Sequence, residues 1–196
     1  MYNELSRHLP KDSIFRIIKW IESLQIDLKF VKPRITKLGD FRYNYKNGLQ
    51  ITINNDLNPY QALITTVHEI AHAFVYKKFG SNVKAHGKEW KEMYKDLMLN
   101  FLKPNIFPSD ILSCLSSHII NPFASSNSDT ELVLILRKYD DENHCIISQI
   151  EFGEKFNFSG KIFVKEEKLR KRFKCLNTQN QRYYLFNPTT KIKIFK

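Results

Sequence analysis

Asn58-Pro59 opens and Gly80 closes the stretch Tyr60-Gln61-Ala62-Leu63-Ile64-Thr65-Thr66-Val67-His68-Glu69-Ile70-Ala71-His72-Ala73-Phe74-Val75-Tyr76-Lys77-Lys78-Phe79. Asparagine is a favoured N-cap, proline suits the first helical position, and glycine commonly ends a helix. No breaker lies between them, so the pattern predicts one long helix. Inside it, His68-Glu69-Ile70-Ala71-His72 sets two histidines four apart, about 40° from each other around a helix of 3.6 residues per turn. Both imidazoles can then reach one cation from the same face, and they form a natural pair of Zn²⁺ ligands. Glu69 follows the first of them directly. From there its carboxylate can approach an open metal position and take a proton from water instead of binding the metal. Leu63, Val67, Ile70, Ala71 and Phe74 would bury one side of the helix and hold the pair rigidly.

A catalytic zinc takes a third protein ligand. A longer form of the motif would place Gly at position 75 and His at position 78, but the chain has Val75 and Lys78, which excludes that class. Three candidates follow in the next predicted helix or at its mouth: His86, Glu89 and Glu92. Imidazole suits the borderline softness of zinc, and Gly87 beside His86 would let the backbone come close to the metal helix.

Reading outward towards the N-terminus, Leu28 to Asn54 predicts a small antiparallel sheet, with Asn47-Gly48 marking a hairpin between alternating runs. Before it, Ile14, Ile17, Ile18, Ile21 and Leu24 recur at helical spacing behind Asp12 and Ser13. On the C-terminal side, Trp90, Met93, Tyr94, Leu97 and Phe101 make an apolar stripe on a helix from about Gly87 to Phe101, a pattern that usually marks core. A shorter helix is expected around Asp110 to Ile119 behind Ser109. Prolines and the run Ser125-Ser126-Asn127-Ser128 place a junction near residues 121–130. Beyond it, Leu132–Leu136, Cys145–Ile150, Phe156–Val164, Arg182–Phe186 and Lys191–Ile194 read as strands. The expectation is an α+β chain: a catalytic domain over residues 1–124 and a basic, β-rich region over residues 125–196.

Hydrophobic residues at 42% with only six Gly and seven Pro exclude collagen-like, low-complexity and largely disordered classes. The longest apolar runs fall far short of the roughly 18–20 residues needed to cross a bilayer, so no membrane partner is expected. Without a secretory pattern at Met1-Tyr2-Asn3-Glu4, the default compartment is the cytoplasm. Cys114, Cys145 and Cys175 are odd in number and far apart, which argues for reduced thiols over a disulfide framework. His8, His118 and His144 have no ligand-spaced partner. A net charge of +11 favours acidic partners, nucleic acid first among them.

His68-Glu69-Ile70-Ala71-His72, followed by Lys84-Ala85-His86-Gly87-Lys88-Glu89-Trp90, resembles the SprT-like zinc metallopeptidase family, which includes the eukaryotic Spartan proteases. Ile51-Thr52-Ile53-Asn54 and Leu63-Ile64-Thr65-Thr66-Val67 also look like that family's strand and helix entry, and the similarity is most specific over about residues 35–100. The resemblance implies a minimal-gluzincin-like catalytic domain with His68, His72 and His86 as ligands of one catalytic zinc and Glu69 as general base. It also implies a protein substrate attached to DNA. Many relatives end in a zinc ribbon with two C-x-x-C pairs; this chain keeps only Cys175 there, so a ribbon-like region without structural zinc is expected.

Lys165, Lys168, Arg170, Lys171, Arg172 and Lys174 crowd a short span interleaved with Phe163 and Phe173. Cations neutralise phosphates and aromatic faces stack on unpaired bases, so these six residues are candidates for contact with DNA, single-stranded above all. The expected activity is peptide-bond hydrolysis by zinc-activated water. The rival reading is a nucleic-acid-binding module whose zinc site is vestigial or structural.

Overall fold

The structure, a computed structural model, describes residues 1–34, 36–120, 130–140 and 145–194. They form α1 (Tyr2–Leu5), α2 (Ile14–Leu24), β1 (Asp27–Val31), β2 (Gly39–Asn44), β3 (Gly48–Asn54), α3 (Pro59–Phe79), α4 (Lys88–Met98), α5 (Ser109–His118) and α6 (Thr130–Arg137). After these come β4 (Cys145–Ile146), β5 (Lys155–Phe158), β6 (Lys161–Lys168), β7 (Phe173–Asn177), β8 (Tyr183–Phe186) and β9 (Lys191–Ile194). The chain divides into two compact units, Met1–Tyr139 and Asp140–Lys196.

In the first unit α3 runs through the core and is buried almost all round, from Gln61 to Val67 and on through Glu69, Ile70, Ala71, Ala73 and Val75. A helix with this little amphipathic contrast is an interior element. Its ends behave as read: the Asn58 side chain accepts from the Gln61 N–H at 2.9 Å, and Gly80, at φ 64°, donates its N–H to the Tyr76 carbonyl. α2 covers it with Ile14, Ile17, Ile21 and Leu24.

The small sheet has the order β1-β3-β2 and is mixed, not antiparallel as expected. β2 and β3 form the predicted hairpin, Asn44 opposite Gly48, but β1 lies parallel to β3, Leu28 beside Ile51. β3 carries the cleanest apolar alternation, with Leu49, Ile51 and Ile53 buried, and it takes the central position. The preceding strand is left to pair on its far edge. β2 becomes the other edge and stands alongside α3.

Of the expected junction, residues 121–129 lie outside the described residues, as does His144. The run Leu132–Leu136 is not a strand but the core of α6: Leu132, Val133 and Leu136 are buried and Leu134 is exposed, a helical period that a short apolar run does not reveal. α6 belongs to the first unit, and the Asn58 Nδ2 donates to the Leu136 carbonyl at 2.9 Å. The second unit therefore starts at Asp140 and not after residue 124.

That unit is an antiparallel sheet ordered β4-β9-β5-β6-β7-β8. Phe156, Phe163, Phe173, Cys175, Phe186 and Ile192 fill its core together with Ile147 and Ile150 from the segment before β5. Of the expected strand Cys145–Ile150, only Cys145 and Ile146 pair, with β9. β7 was hidden by the charge run, although Phe173, Cys175 and Asn177 alternate inward.

Lys165 is a correction to the list of candidate DNA contacts. It is 4% exposed, its Nζ donates to the Ile150 carbonyl at 2.6 Å, and the ammonium lies 4.2 Å from the ring centre of Phe173 and 4.8 Å from that of Phe152. Desolvation lowers its pKa. This lysine is a core fastener, satisfied by a carbonyl and two ring faces, and it presents no charge to a phosphate. Lys168, Arg170, Lys171 and Arg172 are exposed around the β6–β7 connection, and Lys174 is half-buried, 3.6 Å from Glu167 and 4.2 Å from the centre of the Tyr183 ring.

Candidate metal centre

His68 and His72 leave the same face of α3, and His86 reaches them from the turn that leads into α4. Their Nε2 atoms converge: His68 and His72 lie 3.1 and 2.9 Å from that of His86. Nitrogens bound at 2.0–2.1 Å around a tetrahedral ion stand roughly 3.3 Å apart, so this separation is close to one edge of a zinc coordination shell. Among the described residues they are the one group of three such side chains able to share an ion. Of the alternatives for the third ligand, Glu92 is exposed and lies 3.9 Å from Lys88, and Glu89 does not join the group.

The electrostatics suit a cation. Burial, followed by the mutual effect of the neighbouring imidazoles, pushes His68 down to about 3 and His72 to about 4, and burial lowers His86 as well. All three rings are neutral near pH 7, the form that offers a lone pair to a metal. The donor set, three imidazoles and no thiolate, fits a zinc with one position left for water or substrate.

His86 has a positive φ of 57°, which is uncommon for a side-chain-bearing residue and tends to occur where the surroundings impose it. Gly87 follows for a steric reason other than the one expected: a Cβ there would stand 2.8 Å from the Lys84 carbonyl oxygen. The close approach closes the turn on itself, with the Gly87 N–H donating to Lys84 at 2.9 Å, and does not involve the metal helix.

Glu69 is 7% exposed and packs under the start of β2. A Cβ on Gly39 would fall 2.6 Å from the Glu69 Oε1 and 2.7 Å from the Thr65 Cγ2. The Phe41 N–H donates to the carboxyl. Burial and then the charge of Asp40 push Glu69 up to about 8; the Phe41 N–H, Arg34 and Lys37 pull it back only in part. Asp40 is itself held low by Lys37 and Arg42, against a burial cost that acts the other way. Phe41 lies parallel to the His72 ring at 6.3 Å, and Tyr43 stacks on Tyr76 at 4.8 Å, so β2 walls this side of the site.

Gly39 and Phe41 are the functional neighbours that sequence reasoning missed. Gly39-Asp40 reads as a chain breaker, and only the crossing of β2 over α3 turns the missing side chain into room for a carboxylate.

Two imidazoles and a buried carboxyl on one helix, joined by a third imidazole from the following turn and closed by an edge strand, define a metallopeptidase-like domain. Residues 18–107 match the profile of the SprT-like family. No curated protein and no solved structure gives a match.

Proposed function

We propose that the chain is a zinc-dependent peptidase of minimal-gluzincin-like design that hydrolyses peptide bonds in proteins associated with DNA. The observation that carries this reading is the convergence of three neutral imidazole nitrogens next in sequence to a buried glutamate. His68, His72 and His86 would hold the ion, and zinc bound there supplies a Lewis acid that polarises the scissile carbonyl and brings the pKa of water toward about 7. Glu69 holds the proton that moves: its carboxylate accepts it from the attacking water and delivers it to the leaving amine nitrogen. The ionised carboxylate that this step needs is favoured by a nearby divalent cation, and Gly39 and the Phe41 N–H fix where it points.

The test is Glu69→Gln. Zinc content and melting temperature should stay at parental values while cleavage of a denatured or DNA-bound protein drops by at least 100-fold; cleavage at the parental rate removes Glu69 as the base. A second reading, a nucleic-acid-binding module with an idle zinc site, draws on the exposed cluster Lys168, Arg170, Lys171 and Arg172. DNA binding that survives chelation, with no metal-dependent cleavage of any protein with or without single-stranded DNA, would favour it.

A further inference from the structure

Trp90 stands in the first turn of α4 and is 1% exposed. Its ring centre lies 4.5 Å from that of His68, 4.7 Å from His86 and 5.3 Å from His72. Among the described residues no other aromatic ring outside the triad meets all three imidazoles. The Trp90 Nε1–H points at the His68 carbonyl at 3.4 Å, and Tyr94 stacks on the indole at 5.0 Å with planes 10° apart. Tyr94 in turn meets His118, the last residue of α5, edge-on at 6.5 Å. An aromatic column thus rises from α5 through α4 to the imidazoles.

The three ligands come from two segments, one of which holds His86 in a left-handed conformation. Free imidazoles at such sites rotate about two side-chain bonds, and an ion that must order them binds more weakly than one that finds them in place. We propose that Trp90 is the positioning residue of this centre: its indole is a common wall that sets the orientation of His68, His72 and His86 before an ion arrives. The inference rests on reading the triad as a metal centre, and it assigns a role to a residue that sequence periodicity marks only as core.

Zinc affinity of the full chain, measured by competition with a chromophoric chelator, tests it beside the melting temperature of the metal-free protein. Trp90→Leu keeps an apolar core residue but no flat face, and should weaken zinc binding roughly 10–100-fold. Trp90→Phe keeps a smaller face; it should lose less affinity and shift the visible spectrum of the cobalt-loaded protein. Trp20→Leu is the control. Trp20 packs on Phe74 and Phe101 in the same core without touching an imidazole, so this change should lower the melting temperature and leave zinc affinity unchanged. Parental affinity in Trp90→Leu overturns the proposal, as does an equal loss in Trp20→Leu. If Trp90→Leu fails to fold, Trp90→Phe decides, and an unchanged affinity together with an unchanged cobalt spectrum overturns it. A parental protein that takes up no zinc sinks the metal centre and this role together, whereas the predicted affinity pattern without peptide hydrolysis upholds the role and removes only the peptidase reading.

Discussion

At the scale of single residues, the site depends on an atom that is missing. Gly39 brings the backbone of β2 against Glu69, and Gly39→Ala would insert a methyl group 2.6 Å from the carboxylate oxygen. The carboxyl must rotate away or the strand must move. We expect a cost of about 1–3 kcal/mol in urea unfolding and a fall in turnover with full zinc content, because the ligands are on other residues. Unchanged turnover would show that Glu69 tolerates displacement. His68, Glu69 and His72 are legible from spacing alone, since i and i+4 on a helix share a face whatever surrounds it. Gly39 is not, because its role depends on a neighbour 30 residues away in sequence.

Among the elements, α3 is the most self-declared, since its cap, its proline and its terminal glycine are all local signals. Asn58 also does something no local signal announces: besides capping Gln61 it ties the helix start to the Leu136 carbonyl. Asn58→Ala should therefore destabilise the first unit by about 2–3 kcal/mol, at or above the upper end of the range for a lost cap, as read from the denaturant midpoint. A loss of about 1 kcal/mol, that of an ordinary cap alone, would mean that the tie to α6 contributes nothing. The elements misread or overlooked share one cause. The direction of β1 depends on which strand takes the centre, α6 is an apolar run too short to show its period, and the charge run leading into β7 masks its alternation. In each case partners distant in sequence decide what the local pattern leaves open.

Across the whole molecule, net charge of +11 pointed to nucleic acid without saying which cations face outward. The structure divides them. If DNA is bound through the β6–β7 connection, replacing both Lys171 and Arg172 by Ala should reduce the slope of log affinity against log salt by roughly 1.4–1.8 and leave zinc content alone. Lys165→Met is the contrasting variant: its slope should match the parent, and it should destabilise the second unit by about 1–3 kcal/mol by leaving the Ile150 carbonyl unpaired. Equal slopes in all three proteins would take DNA away from this surface. Sequence by itself determined the helix, the paired histidines with their glutamate, and the hairpin, because each is written in short-range spacing and in the φ preferences of Asn, Pro and Gly. Only the tertiary structure decided that His86 closes the triad, that Trp90 lies against it and Gly39 against Glu69, and that Lys165 lies inside. Those facts depend on which surfaces exclude water against one another, and burial is a property of the folded chain and of no segment within it.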